Sequence, residues 1–296
     1  MPAHPERSQP YPKRVIIFSP HPDDDIISMG GTFMRLHDQG HEVHVAYQTS
    51  GNIAVSDEFV TRFIDFAVGF EGLFNIDNEK SSEILADAQN FLASKQPQQI
   101  DTSEIRAIKG LIRRSEAKAT CRYVGLPEGR WHFQNLPFYE TGSIEKNPMG
   151  EEDVKLTMQL LRKIKPHQVY CAGDLADPHG THKVCLDIVF ESLRRLKAEG
   201  DDWVNDCWMW LYKGAWQEWD IAAIEMAIPM SPDQVTKKRH GIFIHQSQKD
   251  AVPFQGSDSR EFWQRAEDRN SNTANLYAAL GLTRYAAMEA FVRWKY

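Results

Sequence analysis

Apolar positions along this chain switch between two rhythms. Residues 14–19, RVIIFS, form a short run rich in branched apolar side chains that suits a strand buried on both faces. A polar turn, PHPDDD, follows at once, and the pattern of IISMGGTFMRLHDQG predicts a helix ending near Gly40. Residues 41–48, HEVHVAYQ, alternate as a second strand. From residue 57 to about 118 the strand signals fade. Segments such as DEFVTRFIDFAVGFEGLF and SSEILADAQNFLASK space their apolar residues for helices, which predicts a helical insertion. Residues 121–124, CRYV, predict a return to strand. After a loop rich in Gly and Pro, Val154, Met158, Leu161 and Ile164 recur on one helical face, and Pro166 closes that helix. HQVYCAG then predicts another strand, DLADPHGTH a polar turn, and Cys185, Ile188, Val189, Leu193 and Leu196 the apolar stripe of a further helix. GIFI, flanked by His240 and His245, reads as one more strand.

Strand, loop and helix thus alternate twice. The expected fold class is α/β, a Rossmann-like, mostly parallel sheet with helices on both faces, in a single domain over residues 1–296 that carries a helical insertion at about 57–118. Ligands bind such sheets beyond the carboxyl ends of the strands, so the two polar turns are expected to meet there.

Composition narrows the partners. With 41 acidic and 34 basic side chains among 296 residues, the net charge of −7 argues against the basic footprint that nucleic-acid binding requires. No run approaches the roughly 20 apolar residues that span a bilayer, and MPAHPERSQPYPKR lacks the apolar centre of a signal peptide, so a cytoplasmic protein without a membrane partner is expected. The four cysteines, Cys121, Cys171, Cys185 and Cys207, form no C-x-x-C pair and read as small buried hydrophobes. A homo-oligomer is left open.

The first turn sets His21 beside Asp23, Asp24 and Asp25, and close carboxylates repel unless solvated, protonated or neutralised by a cation. The second turn supplies His179 and His182, three residues apart at a helix start, so both imidazoles can serve one side of the turn. Two neutral imidazoles and one carboxylate would give a divalent metal three ligands and leave a position for water, with a second carboxylate remaining as base. Each turn alone has a plainer reading, since Asp is a common helix N-cap and D-P-H-G a common solvated loop.

The two motifs together resemble the PIG-L or LmbE-like de-N-acetylases: PHPDDD with the downstream GGT at 30–32, and HGTH at 179–182. The resemblance extends over roughly residues 14–250. IRRSEAKATCRYVGL resembles the family's Arg-x-x-Glu helix, aligning Arg113 and Glu116, and HQSQ at 245–248 resembles its late H-x-S/T-Q signature. It implies that His21, Asp24 and His182 ligate zinc, that Asp23 is the general base, and that His179 stabilises charge or protonates the leaving amine. Arg113 and His245 become candidate substrate-binding residues. The family commonly has Glu where this chain has Asp25, a shorter side chain at a position that supports the ligands. The implied reaction is removal of the acetyl group from an N-acetylglucosamine-type small molecule, by water made acidic on the metal. Fe2+ is an alternative to Zn2+, because two imidazoles and a carboxylate also form the facial triad of non-haem iron.

Rival readings remain open. A glucosamine-6-phosphate deaminase-like enzyme would release ammonia rather than acetate. A nucleotide-binding module is disfavoured because three aspartates stand where a pyrophosphate would lie and no G-x-G-x-x-G comes after the strand. A metal-free sugar-binding protein leaves the paired Asp and His unexplained. The aromatic segment WMWLYKGAWQEW at 208–219 suits either sugar stacking or core packing.

Overall fold

Alternate residues of the first strand decide which helices cover which face of the sheet. In the computed structural model, which describes residues 10–173, 180–215, 217–249 and 258–294, the elements run β1 (Arg14–Ser19), α1 (Asp24–Asp38), β2 (Glu42–Tyr47), α2 (Asp57–Phe74), α3 (Glu79–Ser94), α4 (Ser103–Val124) and β3 (Trp131–Phe133). They continue as α5 (Glu151–Ile164), β4 (Gln168–Ala172), α6 (Thr181–Ala198), β5 (Trp208–Tyr212), β6 (Met226–Met230), α7 (Pro232–Phe243), α8 (Phe262–Ala279) and β7 (Ala287–Trp294). Val15 and Ile17 point into a core shared with Ile26 and Phe33 of α1 and Cys121 of α4. Ile16 and Phe18 point the other way, against Val154 and Leu161 of α5 and Val189 and Leu193 of α6. A strand apolar on both sides needs helices on both sides, and these supply them.

The strand order is β3-β2-β1-β4-β5-β7-β6. β1 to β5 are mutually parallel, and β7 is antiparallel to both β5 and β6. The chain leaves β1 toward β2 and later returns on the opposite side as β4, so the order reverses between β1 and β4 and opens a crevice past their carboxyl ends. The α/β architecture is the expected one. The helices α2 and α3 and the start of α4 bury a small core of their own, Val60, Ile64, Ala88, Ile105 and Ile112.

Two local expectations fail. CRYV is not a strand but the last turn of α4, which runs on until Gly125 ends it at φ +95°; its Cys121 and Val124 are three apart and face the core together. GIFI is not a strand either. Ser231 caps α7 in a box with Gln234, Pro232 opens the helix, and the helical run carries through to Phe243. Both segments are short apolar runs, which cannot be told from helix ends by pattern alone.

The GGT run proves to be a docking point. A Cβ on Gly31 would lie 2.2 Å from the Met230 sulfur, so only glycine lets β6 approach α1 here. Glu289 of β7 accepts from the Gly31 amide at 2.9 Å and from the Thr32 amide and hydroxyl, both at 2.6 Å. Lys238 of α7 bonds the same carboxylate at 2.7 Å and Asn270 of α8 at 2.9 Å. Both members of this ion pair are buried, at 3% and 1% side-chain exposure. Lys238→Met is therefore expected to lower unfolding free energy by about 3 kcal/mol or more, because it strands a buried carboxylate. Adding Glu289→Gln should restore part of the loss. Urea unfolding of the parent and the two variants checks this, and a Lys238→Met protein as stable as the parent would refute it.

Candidate functional site

β1 ends at Ser19 and delivers the His21 turn to the crevice, while β4 leads through residues 174–179 to α6. Gly180, at φ +67°, opens α6 from the left-handed region, which puts His182 in its first turn. The structure brings His21, Asp24 and His182 together. His21 Nδ1 lies 3.2 Å from Asp24 Oδ2, and His182 Nε2 lies 3.3 Å from that same oxygen and 3.3 Å from His21 Nδ1. These three donor atoms form a near-equilateral triangle, and the group suits a metal ion. Bonds of about 2.0 to 2.1 Å to tetrahedral zinc imply ligand separations of about 3.3 Å, so the spacing fits without rearrangement. The Asp24 oxygen also accepts the His21 amide at 2.8 Å, which fixes the turn.

Burial alone would raise the Asp24 pKa, but His182 and His21 outweigh it and hold the carboxyl below its ordinary range, ionised and ready to bind a cation. Asp23 is the contrast. Burial pushes its pKa up, opposed by Arg113, whose Nη2 lies 3.1 Å from Oδ1. One aspartate is thus held as an anion and its neighbour made more basic, which is how adjacent carboxylates come to take different roles. Arg113 is 1% exposed, buried within the fold. Its Nε and Nη1 are buried and lack partners among the described residues. Arg113 therefore meets Asp23 directly.

His245 is buried too, its Nε2 2.9 Å from Thr120 Oγ1 on α4. The adjacent Ser247 donates through its amide at 2.7 Å and its hydroxyl at 2.6 Å to Glu116, one helical turn from Arg113. HQSQ thereby clamps the Arg113 helix. His179 lies outside the described residues.

Several participants carry little signal in the sequence. Tyr47 donates to Asp25 at 3.0 Å, and burial, against that hydrogen bond, raises the Asp25 pKa to about 7. Tyr139 packs edge-on against His21 at 5.9 Å. Gly51, at φ +64°, brings its loop so close that a Cβ would meet Pro22 at 2.9 Å and Arg113 Nε at 3.1 Å. Only Tyr47 stands out in the pattern, as a polar-tipped aromatic continuing the inward period of Val43 and Val45. In 208–219, the strand residues Met209, Trp210, Leu211 and Tyr212 are buried, so that half is core.

Burial, with Arg113 adding to it, lowers the His245 pKa to about 3 from 6.5. Between those values the unfolded chain binds more protons than the folded one, so stability is present above pH 6.5 and lost as pH falls toward 3. His245→Gln is expected to flatten unfolding free energy against pH in that window, by up to about 1.4 kcal/mol per pH unit. Urea titrations at several pH values test it; an unchanged slope would remove His245 from the acid response.

A parallel-sheet α/β protein with a His-Asp-His cluster at its switch point belongs to a small set of classes. A profile of the PIG-L family, described as GlcNAc-PI de-N-acetylase, matches residues 16–193, and the chain belongs to that family. It is 57% identical over 291 residues to a putative glucosamine-6-phosphate deaminase-like protein of Bacteroides thetaiotaomicron, covering 98% of this chain but 44% of that protein. The chain thus spans less than half the length of that curated relative. In fold it is similar to N,N'-diacetylchitobiose deacetylase from Pyrococcus horikoshii, with TM-score 0.58 and 20% identity over 98% of this chain and 89% of that one. It is equally similar to GalB, the 4-carboxy-2-hydroxymuconate hydratase from Pseudomonas putida KT2440, with TM-score 0.58 and 15% identity over 96% and 97%. One architecture therefore carries both a deacetylase and a hydratase, and the site has to supply the argument for chemistry. Among the described residues no helix is long and apolar enough to cross a membrane.

Proposed function

We propose that this chain is a metal-dependent N-deacetylase that hydrolyses the acetamide of an N-acetylated, N-acetylglucosamine-type amino sugar to acetate and the free amine. The observation that carries this reading is the triangle of His21, Asp24 and His182 donors, 3.2 to 3.3 Å on a side, with a separately held carboxylate beside it. Family membership supports it. Zinc suits the tetrahedral spacing; iron(II) in an octahedral site prefers neighbouring ligands about 3.0 Å apart. The cation, when bound, supplies Lewis acidity to the amide carbonyl and lowers the pKa of water toward neutrality.

The protein's own groups do the rest. Asp23, made more basic by burial, takes a proton from the attacking water. Arg113 keeps that carboxylate oriented through its 3.1 Å contact with Oδ1 and is assigned to substrate binding beside it. His179 is assigned to the developing oxyanion and to protonating the leaving amine, as its motif implies. His245 meets Thr120 on the Arg113 helix and lines a small pocket together with Asp23, and it is assigned to substrate binding there.

The name of the Bacteroides relative favours a second reading, release of ammonia from an amino sugar. That name describes a protein more than twice as long, and a site built around donors for a cation suits attack on an acyl carbon better. Acetate and ammonia assays on one sample separate the two. N-acetylglucosamine and its 6-phosphate should yield acetate without ammonia, chelation should abolish the yield, and added zinc should restore it. Stoichiometric ammonia without acetate would transfer the assignment to the deaminase reading.

A further inference from the structure

A second cleft, of about 570 Å³, opens beside the His21–Asp24–His182 cluster past the ends of β2 and β3, lined chiefly by Ser50, Asn52, Arg106, Gly110, Arg114 and Glu140. It shares walls with the site already described. Gly51, between two of the lining residues, abuts Pro22 and Arg113, and Tyr139, next to Glu140, packs on His21. Arg106, Gly110 and Arg114 recur every fourth residue of α4 and so lie on one face, with the two arginines mounted about 12 Å apart along the axis. Between them, Gly110 contributes no side chain, and a Cβ there would already stand 3.5 Å from Ser50.

Many arginines of this chain are neutralised by acids. Arg162, Arg194, Arg195, Arg239 and Arg260 each pair with a carboxylate. Neither Arg106 nor Arg114 has an acidic partner among the described residues, and both are half-buried. Arg114 lies over the Phe133 ring at 4.7 Å, which holds its guanidinium plane in place. Of the nearby acids, Glu140 accepts from Asn52 Nδ2 at 3.1 Å and Glu104 from Ser103 Oγ at 2.9 Å, and neither forms an ion pair with the two arginines. Two unneutralised guanidiniums on one face of a long helix make a cleft that lacks an anion.

We propose that this cleft binds a phosphate monoester carried by the amino sugar, with Arg106 and Arg114 as its donors and Asn52 and Glu140 facing sugar hydroxyls. The proposal rests on the deacetylase reading for the sugar and on the arginines for the phosphate. A phosphate monoester has close to two charges at neutral pH and three acceptor oxygens, so it satisfies both arginines, where a carboxylate satisfies one.

Calorimetry on the purified chain with glucosamine 6-phosphate, glucosamine and inorganic phosphate tests the subsite without needing turnover. The parent protein should bind glucosamine 6-phosphate at least about tenfold tighter than glucosamine, and inorganic phosphate should compete. Arg106→Gln with Arg114→Gln should erase that preference, and Arg106→Lys with Arg114→Lys should keep part of it. The Lys pair also reports on folding, since it alters the same positions. Equal binding of the two sugars by the parent, or an unchanged preference in the Gln pair, would overturn the subsite. Acetate release is a separate reading. Absence of acetate from every acetylated sugar, with the phosphate preference intact, would sink the deacetylase assignment and leave the phosphate subsite standing.

Discussion

Protein carrying Asp24→Ala is expected to purify with far less than one divalent ion per chain and to release no measurable acetate. Asp24 Oδ2 is the shared vertex of the donor triangle, 3.2 Å from His21 Nδ1 and 3.3 Å from His182 Nε2. Its removal deletes the one anionic donor and leaves two imidazoles and solvent. It also deletes the acceptor for the His21 amide, so the turn that aims His21 loses its brace. Loss of a group that merely supports a ligand costs about tenfold to a hundredfold in metal affinity, and loss of the ligand itself should exceed that. Metal analysis after dialysis against a weak chelator is the measurement. Full stoichiometry in this variant would remove Asp24 from the cluster.

Asp23→Asn is expected to do the opposite: the metal stays, and turnover falls by roughly a hundredfold or more. The amide has nearly the shape of the carboxylate but accepts no proton from water. It also deprives Arg113 of its counter-ion, and a buried guanidinium without one is costly, so some loss of thermal stability should accompany the loss of rate. Stability and metal content together separate the chemical role from the structural one. A metal-free but active Asp23→Asn protein, beside an Asp24→Ala protein that retains both properties, would exchange the two assignments.

Much of this site was legible in the residues because both turns sit directly after buried strands. A run such as RVIIFS leaves little freedom of reading, and the turn attached to its end in a parallel sheet must emerge at the carboxyl edge. HQVYCAG placed HGTH at the neighbouring edge in the same way. The pairing of Asp23 with Arg113 was not legible, since it depends on the full length of α4 and on how HQSQ clamps it through Glu116. CRYV and GIFI misled because a run of four mostly apolar residues fits a helix end as well as a strand. Glu289 carried no signal: an acid in AMEAFVRW looks like the wet side of an edge strand, and only the paired position of β7 between β5 and β6 buries it. The arginine-lined cleft hid for a related reason. RRSEAK reads as surface charge, and which of its arginines meets an acid is decided by neighbours distant in sequence.

The place of β7 has a consequence for the order in which the protein assembles. The strand that fills the gap between β5 and β6 is synthesised after both of them, and it carries the carboxylate that grips α1 at Gly31 and Thr32. While it is still on the ribosome, the nascent chain already holds His21, Asp24 and His182, yet it shows two unpaired strand edges and leaves the Gly31 and Thr32 amides without Glu289. Such edges invite pairing with other chains. The parallel half of the sheet, made of local β-α-β units, can form early, but the cluster's supporting helix is locked only when a distant segment arrives. A chain stopped before residue 287 should consequently aggregate during synthesis, even though every candidate metal ligand has already been made.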